Sequence, residues 1–138
     1  MSGKCFLDTN ILVYMESPKE TEKQQKARLL FDTLTSNGLS VISTQCLQEF
    51  YNATTKKLNL DKLQMKELIH TFEYVLDIVQ ITPRLIEDAI DISIETQFSF
   101  WDSLIIAAAV YAECDILYSE DLNDGQVVHG VTIKNPFC

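Results

Sequence analysis

Glycine is scarce in this chain. Gly3, Gly38, Gly125 and Gly130 are all there are, which leaves neither a Walker loop nor a dinucleotide fingerprint, so nucleotide-cradling folds of those kinds are excluded. Histidine is scarcer still: His70 sits in a helical segment and His129 in a loop. Neither has a histidine or cysteine at ligand spacing, which argues against a zinc site, and no GxSxG is present to form a nucleophile elbow. Cys5, Cys46, Cys114 and Cys138 are widely scattered with no CxxC pair; they read as reduced thiols packed like small hydrophobes. Long apolar runs are missing as well. The longest, Leu104 to Ala112, is far short of a bilayer span, and Met1-Ser2-Gly3-Lys4 lacks the apolar segment of a secretory signal. The expectation is a soluble, cytoplasmic protein with no membrane contact.

Positive charge is the next deficit. Twenty acidic residues against 11 basic give a formal charge of −9, which taken alone argues against a polyanionic partner. The imbalance is regional, however. Residues 1–67 hold nine basic and eight acidic side chains, whereas residues 68–138 hold two and twelve. Lys19, Lys23, Lys26 and Arg28 form one basic group and Lys56, Lys57, Lys62 and Lys66 another. Both read either as solvated helix faces or as a local cationic rim able to hold phosphates. With 138 residues, 46% of them apolar, the chain has the size and the core material of one domain, spanning 1–138.

Short β-rich pieces alternate with longer segments of helical period. The predicted strands are Lys4–Asp8, Leu39–Ser43, Ile78–Thr82, Asp115–Ser119 and Val131–Ile133. Between them Ala27, Leu30, Phe31 and Leu34 recur at one-sided helical spacing, as do Leu47, Phe50, Tyr51 and Thr54, and then Met65, Leu68, Ile69 and Phe72. A helix starts near Arg84, after Pro83. In the segment Trp101–Cys114, Trp101, Leu104, Ile105 and Ala108 make one stripe while Ile106, Ala109 and Val110 fill other faces, which predicts a largely buried helix. Asn37-Gly38 and Asp124-Gly125 mark turns. Strands separated by helices imply crossovers, hence an α/β fold with a mostly parallel sheet and helices on both faces.

Four carboxylates stand at strand ends or helix starts beside apolar sequence. Asp8 follows Cys5-Phe6-Leu7; it reads as a helix cap or as a ligand-binding residue at the carboxyl end of the first strand. Asp102 lies three residues after Ser99, as in a capping box, yet it shares a helix face with Ile106 and Ala109, where a carboxylate requires a compensating partner. Glu49 lies opposite its helix's apolar stripe, facing solvent or a cleft. Asp121 shares a loop with Glu120 and Asp124, any of which a turn explains. If the sheet is parallel, Asp8, Asp102 and Asp121 converge at one edge, and such a cluster repels itself unless cations occupy it. Carboxylate and water oxygens suit Mg²⁺ or Mn²⁺, with substrate phosphate completing the shell. Phosphodiester hydrolysis is the chemistry that follows.

The motifs Phe6-Leu7-Asp8-Thr9-Asn10-Ile11-Leu12, Gln48-Glu49-Phe50-Tyr51, Phe100-Trp101-Asp102-Ser103-Leu104 and Leu117-Tyr118-Ser119-Glu120-Asp121-Leu122 appear in this order across nearly the whole chain. Together they resemble the PIN-domain family, and within it the VapC-type ribonuclease toxins of toxin–antitoxin pairs. The resemblance implies a three-layer sandwich around a five-stranded parallel sheet of order 3-2-1-4-5. It also implies an Mg²⁺- or Mn²⁺-dependent endoribonuclease leaving 3′-hydroxyl and 5′-phosphate ends. Carried over position by position, Asp8, Glu49, Asp102 and Asp121 match the acidic quartet, with Asn10 and Ser119 as supporting polar residues. Within the last loop, Asp121 is chosen over Glu120 and Asp124 by its distance from the strand end. Lys56 and Lys57, one to two turns beyond Glu49, are the candidate contacts to RNA phosphates. The implied partners are RNA, a second copy of the chain, and an antitoxin clamped by the paired helices around residues 44–80, whose tail sets a basic residue near the carboxylates. The alternative is a silent PIN-like module that binds RNA or protein. A phosphatase of the haloacid-dehalogenase kind fits less well, because Asp8 is followed by Thr9-Asn10 and the second acid of that motif is missing.

Overall fold

The computed structural model describes residues 1–138. Its elements run in the order β1 (Cys5–Leu7), α1 (Thr9–Met15), α2 (Thr21–Ser36), β2 (Ser40–Ser43), α3 (Thr44–Lys56), α4 (Lys62–Val75), β3 (Asp77–Val79), α5 (Pro83–Thr96), α6 (Phe100–Tyr111), β4 (Ile116–Tyr118), β5 (Val127–Val128) and β6 (Val131–Lys134). No helix is long and apolar enough to cross a membrane.

The sheet order is β3-β2-β1-β4-β6-β5. All pairings are parallel except β5 with β6. Five strands therefore follow the expected order 3-2-1-4-5, with β6 in the last place. The sixth, β5, is a correction to the strand count. It is a two-residue strand folded back on β6 through His129 and Gly130, both at positive φ (47° and 85°), the mirror-image turn that matches the twist of a tight hairpin. Two residues are too few to show a period in the sequence.

Parallel crossovers are right-handed. The two that step from β1 to β2 and β2 to β3 carry α1–α4 on one face, and the one returning from β3 to β4 carries α5 and α6 on the other. Packing agrees: α1 lies on α2 and α3, α3 on α4, and α5 on α6. The crossovers diverge between β1 and β4, so a crevice opens at the carboxyl ends of those two strands.

Most helices begin on a side-chain cap. Ser43 accepts from Cys46 N–H, Asp61 from Gln64 N–H, Thr82 from Leu85 N–H and Ser99 from Asp102 N–H. Thr82 is thus a cap ahead of Pro83 at the first helical turn, which is why β3 ends at Val79 and not at the expected Thr82. The buried helix is confirmed over Ser103–Ala109, every residue of which is in the interior. Trp101 departs from the stripe assigned to it: it is 62% exposed, its ring edge-to-face with Phe100 at 5.0 Å. The other predicted stripes pack inward through Ala27, Phe50, Thr54, Met65 and Phe72. Cys5, Cys46 and Cys114 are buried free thiols.

Candidate active site

The site assembles at the crevice between β1 and β4. Asp8 follows β1 directly; its N–H donates to Tyr118 O at 3.0 Å, tying it to the neighbouring strand. It is also the N-cap of α1, its Oδ1 accepting from Thr9 N–H at 2.7 Å. The cap reading of Asp8 therefore holds, and the residue stands at the carboxyl end of the first strand, where the ligand reading places it. Its other oxygen accepts from the buried Ser119 hydroxyl at 2.7 Å. Only 7% of Asp8 is exposed. Burial pushes its carboxyl up to about 6, against the two hydrogen bonds from Ser119 and Thr9, with Glu49 and Asp121 adding like-charge repulsion.

Glu49 projects from α3 and is half-buried. The Thr9 hydroxyl donates to its Oε1 at 2.7 Å and Gln45 Nε2 to its Oε2 at 3.2 Å. Gln45 Nε2 also donates to Trp101 O at 3.2 Å, so one amide spans Glu49 and the first turn of α6. Asp102, in that turn, is half-exposed; burial raises its carboxyl above the usual range, helped by Asp121 and Glu49 and opposed by Ser99. Only half of the expected capping box is present, the bond from Asp102 N–H to Ser99 Oγ.

Asp121, exposed in the loop after β4, accepts from Asn10 Nδ2 at 3.1 Å, and its N–H donates to Ser119 Oγ at 3.2 Å. Ser119 thus links Asp8 to Asp121, and Asn10 links α1 to Asp121. The two neighbouring acids are already engaged: Glu120, on the wall of the cleft that Asp121 lines, is bound by Lys23 and Tyr14, and Asp124 Oδ1 accepts from Asn135 N–H beyond β6. Asn10, Glu49, Asp121 and Lys57 line one open cleft of about 460 Å³ together with Thr9 and Asn52. Tyr14 and Glu120 line it too, whereas Asp8, Asp102 and Lys56 do not. Thr9 and Gln45 are site residues that the sequence reading passed over. Gln45 was within reach of it, standing four residues before Glu49 on the same helix face.

The donor set is all oxygen, which suits a hard divalent cation. Gln45 Oε1, buried beside Glu49, has no hydrogen-bond partner, a polar atom left free to accept from a cation's water. No group of three or more acidic, histidine or cysteine side chains is arranged to hold a metal ion by itself, so a cation here would rely on waters and substrate phosphate for the rest of its shell.

A doubly wound α/β protein with carboxylates from both helical layers at its switch point is the class this architecture defines. The chain belongs to the PIN domain family, whose model matches residues 5–124. No curated protein matches it by sequence. By structure it is similar to a chain of a toxin–antitoxin complex from Klebsiella pneumoniae (TM-score 0.71, 17% identity, 96% of this chain and 98% of that one). It is also similar to a chain of DNA-bound VapBC from Salmonella typhimurium (0.68, 20% identity, 98% of each). A third is VapC20 of Mycobacterium tuberculosis, a toxin that cleaves the sarcin–ricin loop (0.65, 15% identity, 86% of this chain and 92% of that one).

Proposed function

We propose that the chain is a VapC-type endoribonuclease that hydrolyses RNA phosphodiester bonds to 3′-hydroxyl and 5′-phosphate ends with Mg²⁺ or Mn²⁺, and that an antitoxin restrains it. The observation that carries this reading is Asp8, a buried carboxylate that feels the charges of Glu49 and Asp121, as Asp102 does from the other side, an arrangement that is unfavourable without a cation. Asp8, Asp102 and Asp121 are the proposed ligands, with Glu49 acting through water or orienting the nucleophile. When bound, the cation supplies Lewis-acid stabilisation of the phosphate's transition-state charge and activates the attacking water.

The chain's own groups do the rest. Ser119 and Thr9 N–H fix both oxygens of Asp8. Thr9 and Gln45 fix both oxygens of Glu49 and leave one lone pair on each to accept a proton or a water. Lys57, on the cleft wall, offers an ammonium to the RNA backbone. Exposed Leu63, Tyr74 and Val75 on α4, with Tyr51 on α3, give an antitoxin apolar surface to cover, and the two VapBC and toxin–antitoxin neighbours support such a partner. Ile86, Ile90 and Ile94, exposed at four-residue spacing along α5, form the ridge on which a second copy would pack.

The test is cleavage of RNA by Asp8→Asn and Asp102→Asn with and without Mg²⁺, alongside growth arrest in cells. Unchanged cleavage by either variant sinks the mechanism. That no three candidate ligands are arranged to hold a metal by themselves favours a second reading, the silent binding module, and calorimetric titration with Mn²⁺ separates the two: a pure scaffold shows no saturable site.

A further inference from the structure

The loop after β4 offers three acids within five residues, and the fold sorts them by an ion pair on the wall of the same cleft, which Tyr14 and Glu120 line with Asn10, Glu49 and Asp121. Lys23, in the first turns of α2, donates to Glu120 Oε2. The Tyr14 hydroxyl of α1 donates to Glu120 Oε1 at 2.6 Å, and Lys23 Nζ donates to Tyr14 Oη at 3.3 Å. The ammonium lies 4.8 Å from the centroid of the Tyr14 ring and 5.6 Å from that of Phe137. Those rings meet edge to face at 5.2 Å. An ordinary surface ion pair contributes little. This one has a shared hydroxyl and two aromatic faces, and its side chains are only 35% and 23% exposed, so its geometry is held.

The consequence reaches Asp121. Glu120 is its chain neighbour, and the two carboxylates leave the loop in different directions, Glu120 toward α1 and α2 and Asp121 toward Asn10. We propose that Lys23 is a positioning residue of the acidic site: with Tyr14 it locks Glu120 out of the cation position and so fixes the loop that presents Asp121 to the divalent cation. This inference rests on the metal-dependent reading above.

The experiment is Mn²⁺ titration calorimetry on the full chain with Lys23→Met, Lys23→Arg, Tyr14→Phe and Asp8→Asn. Removing a positive charge near an acidic site by itself tightens cation binding. Lost positioning weakens it, by about tenfold if this outer partner behaves as such partners do elsewhere. The expected result is therefore weaker binding in Lys23→Met, recovery in Lys23→Arg, and a smaller loss in Tyr14→Phe, which also serves if Lys23→Met fails to fold. Equal or tighter binding in Lys23→Met, or an unchanged Tyr14→Phe, overturns the proposal. So does a loss of RNA affinity with Mn²⁺ affinity intact, which makes Lys23 a phosphate contact. Wild-type protein that binds no Mn²⁺, or an Asp8→Asn variant that binds it normally, refutes the metal reading instead. In that event amide hydrogen exchange over residues 119–125 reads the latch without a cation: faster exchange in Lys23→Met sustains it, and unchanged exchange overturns it.

Discussion

Replacing Asp8 with Asn should stabilise the cation-free protein. The Asp8 carboxyl stands at about 6 in the fold against 3.8 for an ordinary aspartate. A carboxyl raised in the folded state binds more protons there than in the unfolded chain between those two values, so stability falls as pH rises through that window and stays low above it. At 1.36 kcal/mol per unit, the penalty at neutral pH is about 3 kcal/mol. Asparagine removes the charge and keeps the shape: its oxygen still accepts from Thr9 N–H, and its amide can donate to the Ser119 hydroxyl, whose lone pairs are available. Urea unfolding in chelator at pH 7.5 should show Asp8→Asn more stable by about 3 kcal/mol, a rise in Tm on the order of 10 °C. The difference should vanish below pH 4, where both side chains are neutral. Because burial is the largest cause of the shift, added salt should leave most of the gain, since buried groups are screened weakly. Saturating Mn²⁺ should raise the wild type and not the variant. A variant that is destabilised at pH 7.5 in chelator, or a gain that persists undiminished at pH 3.5, would refute the idea that Asp8 is held charged against its environment.

Ser119→Ala should act in the opposite direction. It deletes the donor to Asp8 and the acceptor for Asp121 N–H, costing about 2 kcal/mol at pH 7.5 in chelator, and less on an Asp8→Asn background, as a double-mutant cycle by denaturation will show. Lys57→Ala should weaken RNA binding and lower the slope of log affinity against log salt by about one, whereas Lys56→Ala, off the cleft, should change little; fluorescence anisotropy on the inactive Asp8→Asn background measures both. Ile94, 73% exposed on the α5 ridge, should tolerate Asp as a fold, and light scattering should show Ile94→Asp as a monomer if the wild type is a dimer; a variant dimer as tight as wild type removes that ridge from the interface.

Sequence carried the fold far because the strands here are short apolar runs between one-sided helices, and Val41, Ile42 and Leu117 have no solvent face. What escaped was whatever is too short to have a period. Helix α1 spans seven residues, too few for its apolar string Ile11-Leu12-Val13 to show a period; the only sign of a helix is the Asp8 cap. β5 is shorter still, and His129-Gly130 lacks the Asn or Asp that usually announces a mirror-image turn. Period alone places Trp101 in the buried stripe, and period says nothing of which end of a stripe the rest of the fold covers. Asp8 and Asp121 were legible as strand-end acids, and Glu49 by its position opposite Phe50. Lys23 was not, because the partner that gives it meaning lies 97 residues away.

The choice between cap and ligand, posed by sequence for Asp8, is not a choice in the fold. A cap must stand at the first turn of a helix, with its carboxylate against the N–H groups there; in a parallel sheet that turn lies at the carboxyl end of a strand, where the crevice opens. Asp8 and Asp102 occupy such turns on opposite faces of the sheet, α1 on one side and α6 on the other, and each lies near Asp121 and Glu49. Helix N-termini partly offset the negative charge that the quartet concentrates, which lets the acids gather before any cation arrives. The offset is incomplete for Asp8, since burial still lifts its carboxyl to about 6. In the proposed metal mechanism that uncompensated charge is a cation's driving force, and a site built from strong caps alone would fold more stably and bind metal more weakly.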